Sequence, residues 1–310
     1  MPGRLLVSGL INIETTLRVD GFPLPYFPVC YPFFGLHTTV SGVGYNIAKA
    51  LTVLAHDVRF LSLTGRDAQA QLVAAALQAE GIPGEGVLNA LDETPQSVIL
   101  YDGTGRRQIH VDLKDVQERP YPLDAALAAA EGCALAAVCN INFSRPLLAA
   151  LKARGVTIAT DVHALADLED PYDRDFMAAA DILFMSHERL PAAPAAWARR
   201  VVQRYHPQVL VVGLGGDGAL LAVPRDGFFG RLPALVTRPV VNTIGAGDAL
   251  FAAFLHGYDT SHDPYDALRR ATLFASYKIG AAGAAEGFLT GAELADLYRE
   301  RGRELAYTAV

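Results

Sequence analysis

RPVVNTIGAGDALFAAFLHG, residues 238–257, is the stretch from which the architecture of this chain can be read. A β-rich run meets a cluster of small residues and then passes into an amphipathic segment beginning near Ala246. Gly245 and Gly247 permit a close backbone approach that a Cβ would forbid. The first turn of a helix presents unpaired N–H groups and the positive end of its dipole. The corner therefore reads as an anion hole made of backbone, spanning Gly245, Ala246, Gly247 and Asp248. A carboxylate at such a helix end is expected to be held ionised and to accept a proton from a hydroxyl, the part assigned to Asp248.

Working outward, apolar runs of strand length alternate with longer Ala-rich amphipathic stretches, the pattern of a mostly parallel sheet covered by helices. Strands are expected at Arg4–Leu10, Val58–Ser62, Leu135–Asn140, Val156–Thr160, Ile182–Met185 and Val209–Gly213. Helices are expected at 44–55, 68–80, 123–131, 146–154, 195–205, 246–257 and 264–281. Two stretches break the alternation. Residues 17–40 are rich in Pro, aromatic and β-branched residues, and residues 97–111 read as a hairpin around Asp102–Gly105. Together they predict a small β-structured lid, formed by segments of about 14–40 and 95–113 inserted into a single α/β domain covering residues 1–310.

Composition narrows the function classes. The 310 residues are 51% hydrophobic and 19% charged, enough apolar material for a large core. A net charge of −7 and a pI near 5.6 argue against a nucleic-acid surface, which needs clustered Lys and Arg. Cys30, Cys133 and Cys139 lack metal-type spacing and read as reduced residues of a cytoplasmic protein. The longest Ala-rich run is interrupted at Glu131, so no membrane span is expected. No GxxxxGK[ST] occurs, which excludes a P-loop, and VSGLINIE after the first strand lacks the GxGxxG turn of a dinucleotide fold.

NTIGAGDALFAAF closely resembles the C-terminal signature of the ribokinase family of carbohydrate kinases (the PfkB type), and SGVGYNIAKAL at 41–51 resembles its N-terminal glycine-rich signature. LTGRDAQAQLV at 63–73, TPQSVILYDGTGRR at 94–107 and VLVVGLGGDGALL at 209–221 follow the family in the same order, so the similarity covers nearly the whole chain. The resemblance implies a ribokinase-like three-layer α/β sandwich. It further implies transfer of a phosphoryl group from ATP, with Mg2+, to a primary hydroxyl of a sugar or nucleoside. Asp248 takes the place of the catalytic base, and Ser41, Gly42, Gly44 and Asn46 fall at the acceptor. Gly215, Gly216, Gly218, Thr243, Thr272 and Gly283 fall at the nucleotide.

Other positions are assigned by chemistry. Glu14 stands where many such kinases place an Asp that grips substrate hydroxyls, and Asn140, Asn142, Asp161 and His163 follow strands whose carboxyl ends should face the acceptor. MSHERL stands in place of the family's NxxE element, leaving Glu188 to reach magnesium through water, with His187 beside it as a loop histidine. Asn242 replaces the Asp that commonly opens the signature, in a region linked to a monovalent cation, and cation dependence is left open. Arg106 and Arg107 either close over the ligand or lie in a solvated turn. SGVGYNIA, CNINFS and NTIGAGDA resemble pseudouridine kinases of the family, and Tyr26, Phe27, Tyr31, Phe33 and Phe34 could stack on a base or join a homodimer through the lid. The alternative is a ligand-binding or regulatory protein that keeps the fold without catalysis.

Overall fold

The computed structural model describes residues 3–310. In chain order the elements are β1 (Arg4–Ser8), β2 (Asn12–Arg18), β3 (Leu36–Ser41), α1 (Val43–Val53), β4 (Asp57–Thr64), α2 (Ala68–Ala79), β5 (Val87–Asn89), β6 (Gln96–Tyr101), β7 (Arg107–Asp112) and α3 (Leu123–Ala129). They continue with β8 (Leu135–Val138), α4 (Arg145–Ala153), β9 (Thr157–Ala164), α5 (Arg174–Ala179), β10 (Ile182–Ser186), α6 (Pro194–Tyr205), β11 (Val209–Gly213), β12 (Ala219–Val223) and β13 (Phe228–Leu232). The last are α7 (Ala246–Ser261), α8 (Pro264–Lys278), α9 (Gly291–Arg301) and β14 (Thr308–Ala309).

The large sheet has the order β14-β13-β12-β11-β10-β9-β8-β1-β4-β5. It is parallel from β11 to β5 and closes at the other edge with antiparallel β12 to β14. Its central strands β1, β8, β10 and β11 are buried on both faces, which is why they read as continuous apolar runs. Leu5 and Val7 point into one core with α1, α2, α7, α8 and α9, while Leu6 points into the other with α3 to α6. Inside the first core Phe184 of β10 stands edge-on to Phe251 and Phe254 of α7, at centroid distances of 4.9 and 5.1 Å. Those contacts fix α7, and hence the corner that begins it, against the sheet.

A second sheet of order β3-β2-β6-β7 lies apart from the large one and is the lid. Its hairpin β6–β7 turns on Asp102, whose Oδ1 accepts from the Thr104 and Arg106 N–H groups at 2.9 and 3.1 Å. The lid is less regular than the sequence suggests. Residues 19–35 form no strand, because Pro23, Pro25, Pro28 and Pro32 remove ladder donors. The expected helix at 264–281 ends at Lys278, and β5, β12, β13, β14, α5 and α9 were not anticipated. None of the described helices is long and apolar enough to cross a membrane.

Away from the corner, the partly buried His256 of α7 meets the buried His56. His56 Nδ1 donates to the Gly3 carbonyl at 3.1 Å, which leaves its Nε2 to accept from His256 Nδ1 at 2.9 Å. Burial lowers the pKa of both rings, that of His256 to about 4, with His56 and Arg270 pushing it the same way and Asp259 opposing. Between pH 4 and the ordinary value of about 6.5 such a ring is neutral when folded but charged when unfolded, so stability is full above about 6.5 and is lost as pH falls towards 4. The urea midpoint should therefore drop between pH 7 and 5, and His256→Asn should flatten that part of the profile; an unchanged slope in the variant would disprove the assignment.

Candidate active site

The corner preceding α7 is built almost entirely from backbone. Gly245 caps the helix at φ 72°, and a Cβ there would lie 2.5 Å from the Ala284 carbonyl oxygen, so both conformation and space demand glycine. A Cβ on Gly247 would meet no atom within 4 Å, so the first turn faces open space. The approach is anchored to the end of α8. Val241 N–H donates to the Ile279 carbonyl at 2.9 Å, and the buried Asn242 amide donates to the Ala282 carbonyl at 2.8 Å while its Oδ1 accepts from Ile244 N–H at 3.0 Å. An ionised Asp could make only the second of these side-chain bonds, which gives the Asn in this signature a physical reason.

From Asp248 a hydrogen-bonded chain runs back to the lid. Asn46 Nδ2 donates to Asp248 Oδ2 at 2.6 Å, and Ser41 Oγ lies 3.2 Å from Asn46 Oδ1 and 3.0 Å from Glu14 Oε2. Glu14, Ser41 and Asn46 are buried. Burial is the largest influence on Asp248 and raises its pKa, opposed by the Asn46 hydrogen bond and by His163 and Lys278, with Asp161 adding to the rise. Desolvation here acts against the bonds that favour the anion, on which the expectation of an ionised carboxylate rests. Glu14 is raised as well, again chiefly by burial.

Among the described residues two buried acceptors in this cluster have no partner, Glu14 Oε1 and Asn12 Oδ1. Such groups are costly unless a donor meets them. Sequence reasoning passed over Asn12, although the period of two along β2 places it on the same face as Glu14. The glycines of SGVG make room for the chain itself. Cβ atoms on Gly42 and Gly44 would lie 2.6 Å from the Leu10 carbonyl oxygen and 2.4 Å from the Gly9 carbonyl carbon. They let α1 approach the turn after β1.

The lid is seated on the corner. Ile99 packs with Ile244, Ala284 and Tyr101. On one side Arg107 donates to Thr243 Oγ1 at 2.8 Å and to Glu188 at 3.3 Å; on the other His37 meets Glu286 at 3.2 Å. Glu188, at the end of β10, is thus already paired, and His187 Nδ1 is occupied by the Gly213 carbonyl at 3.0 Å. Among the described residues no group of three or more His, Cys, Asp and Glu side chains is gathered as a metal cage.

The remaining expected residues scatter around the carboxyl ends of the strands. Asn140 donates to Asp173 at 2.9 Å, and Asn142 is bound to Gln117 by two bonds of 3.0 Å. His163 adopts φ 55°, with its N–H on Asp161 at 2.8 Å. Gly215 and Gly216 lie in the turn after β11, and a Cβ on Gly216 would meet only open space, whereas Gly218 is fixed by the Leu232 backbone. Thr272 is buried with its hydroxyl on the Leu268 carbonyl at 2.8 Å, so it presents no free donor, and Gly283 N–H is taken by Glu286 at 2.9 Å.

The corner thus joins the open first turn of a helix to a carboxyl group, with the lid seated over both. Comparison with known proteins identifies the family. Residues 3–290 match the family described as pfkB family carbohydrate kinase, and the chain belongs to that family. It is 26% identical to the acarbose 7(IV)-phosphotransferase of an Actinoplanes species, over 88% of this chain and 91% of that one. It is 28% identical to the ATP-dependent ribose-1-phosphate kinase of Halopiger xanaduensis, over 91% and 93% of the two chains. Among solved structures, a microbiome-derived acarbose kinase superposes with a TM-score of 0.85 at 26% identity, covering 96% of this chain and all (100%) of the other. The fold is ribokinase-like, and the protein is an ATP-dependent sugar or nucleoside kinase.

Because the Asn46 bond favours ionised Asp248 against its burial, Asn46→Ala should push the carboxyl pKa higher still. The acid limb of the kcat/KM profile should then move up by about one unit, the size of a lost charge-assisted hydrogen bond. A limb that stays in place in the variant would show that Asn46 does not tune this carboxylate.

Proposed function

We propose that the protein transfers the γ-phosphoryl group of ATP to a primary hydroxyl of an uncharged sugar or nucleoside, with Asp248 as general base and the Gly245–Asp248 backbone as anion hole. The observation that carries this reading is the chain Glu14–Ser41–Asn46–Asp248, which ends in an unpartnered carboxylate oxygen at one end and the open first turn of α7 at the other. Glu14 Oε1 and Asn12 Oδ1 accept hydroxyls of the acceptor. The attacking hydroxyl gives its proton to Asp248 as its oxygen bonds to the γ-phosphorus. The bond from that phosphorus to the bridging oxygen breaks, and ADP leaves. The N–H groups of the first helical turn bind the charge that collects on the transferred group.

The charge pattern favours a neutral acceptor. Glu14, Asp161, Asp173 and Asp248 crowd the acceptor side, and a phosphorylated acceptor would meet like charge there. This separates acarbose, named for two of the relatives, from ribose 1-phosphate, named for a third. A nucleoside such as pseudouridine fits the same rule, and the exposed Tyr26, Phe33 and Phe34 suit a base, a sugar ring or the lid of a second copy in a homodimer. Magnesium needs no dedicated cage, since it keeps water and phosphate oxygens; Glu188, once released by Arg107, would hold it through water, where it would neutralise the phosphates.

An ADP-release screen with ATP and magnesium against acarbose, pentoses, hexoses, nucleosides, pseudouridine and ribose 1-phosphate should give turnover with neutral acceptors alone. Asp248→Asn should cut the rate by ~10²–10⁴-fold with nucleotide binding retained. A variant keeping more than about a tenth of the rate contradicts the general-base role, and preferred use of ribose 1-phosphate contradicts the neutral acceptor.

A further inference from the structure

The phosphoryl-transfer scheme leaves one buried charge unused. Lys278, the last residue of α8, is wholly buried, and its Nζ donates to the main-chain carbonyl of Ile244. Among the described residues no carboxylate forms an ion pair with it. Asp248, Glu14 and Glu286 act on it at longer range, and Arg238 opposes them. Burying an ammonium costs several kcal/mol, and a single carbonyl does not offset that cost. Such a group is retained where its position matters.

The position is informative because the Ile244 carbonyl and the Gly245 N–H belong to one peptide unit. In a trans peptide the two point in opposite directions. Lys278 on the carbonyl therefore aims the N–H away from the core, toward the open side of the corner, and no described protein group accepts from that N–H. Asn242 fixes the preceding peptide by accepting from the Ile244 N–H, so the turn is held from both flanks. The ammonium also polarises the peptide, which strengthens its N–H as a donor to an anion.

Resting on the kinase reading above, we propose that Lys278 is a built-in cation and a positioning residue: it orients and polarises the Ile244–Gly245 peptide toward the transferred phosphoryl group, so that the corner needs no alkali cation from solution. Burial lowers the Lys278 pKa to about 8, against the pull of Asp248, Glu14 and Glu286, so the charge is mostly present at neutral pH.

The test compares binding of a non-hydrolysable ATP analogue and of ADP, both with magnesium, to the wild type and to Lys278→Met. Each is measured in chloride salts of potassium, tetramethylammonium and methylammonium. The wild type should bind the analogue equally, within about twofold, in potassium and tetramethylammonium; a rise of more than about threefold in potassium overturns the proposal. Lys278→Met should lose about tenfold or more for the analogue, less for ADP, and regain most of it in methylammonium or potassium, small cations that can occupy the vacated site. Wild-type affinity in the variant, or a loss that neither cation repairs, overturns it. If the variant does not fold, the wild type decides alone: its preference for the analogue over ADP should fall as pH rises through about 8, and a flat profile counts against Lys278. Binding of nucleotide without ADP release for any acceptor would sink the kinase reading and leave this one standing. Turnover with a variant unaffected in binding would do the reverse.

Discussion

Position in this site is set by the hydrogen-bonded chain that joins Glu14 on β2, Ser41 at the end of β3, Asn46 on α1 and Asp248 on α7. Proton counting gives it direction. Asp248, when ionised, can only accept, so Asn46 must turn its NH2 toward it and its Oδ1 toward Ser41. Ser41 then has one hydrogen and two acceptors, Asn46 Oδ1 and Glu14 Oε2. While Glu14 is ionised one of those contacts goes without a proton. If Glu14 takes a proton, as its raised pKa favours, it donates to Ser41 and frees the serine hydrogen for Asn46. Glu14 and Asp248 are thus coupled through a chain that spans lid and body, and a hydrogen bond given to Glu14 Oε1 would change the balance at Asp248.

The same chain explains why the lid can be both seated and separable. The contacts that close it elsewhere are a small apolar cluster around Ile99 and two partly exposed polar clasps, Arg107 with Thr243 and Glu188, and His37 with Glu286. Exposed pairs of this kind contribute little, about 0–1 kcal/mol each. A four-stranded sheet held by such contacts can lift while β2 and β3 stay anchored at their Asn12 and Ser41 ends. The clasps also lie where ligand charge is expected: Arg107 covers the corner and the end of β10 together. A nucleotide phosphate would compete for the guanidinium and exchange a lid-to-body contact for a lid-to-ligand one.

Much of this was legible before the coordinates. The sheet, seven of the helices, the hairpin at Asp102 and the catalytic corner each carry a local signal: an apolar run, a helical period, an Asx turn, or small residues before a helix. What stayed hidden depends on contacts distant in sequence. β14 is a two-residue edge strand with no local signal, and β13 mixes a Gly and an Arg into its run, whereas the apolar ALLAV of β12 was readable. The helix α9 was readable, since Thr290 and Glu293 form a capping box that the sequence spells out. That Gly42 and Gly44 make room for Gly9 and Leu10 is likewise invisible in the sequence, because those residues meet only in the fold. Lys278 looked like one more cation at a helix end, and its burial beneath Ile244 follows only from how the segment after α8 folds under the corner.

The charge arrangement of the site resolves a tension in asking one carboxylate to be both buried and basic. On one side Asp248 raises the cost of ionising Glu14, Asp161 raises that of ionising Asp248, and burial raises both further. On the phosphate side stand helix N–H groups, Arg107 and the ammonium of Lys278. His163 and Lys278 draw Asp248 toward ionisation against its burial and against Asp161. An anion bound at the first turn of α7 would oppose that pull, because the two sides meet there, and Asp248 would then hold a proton more tightly.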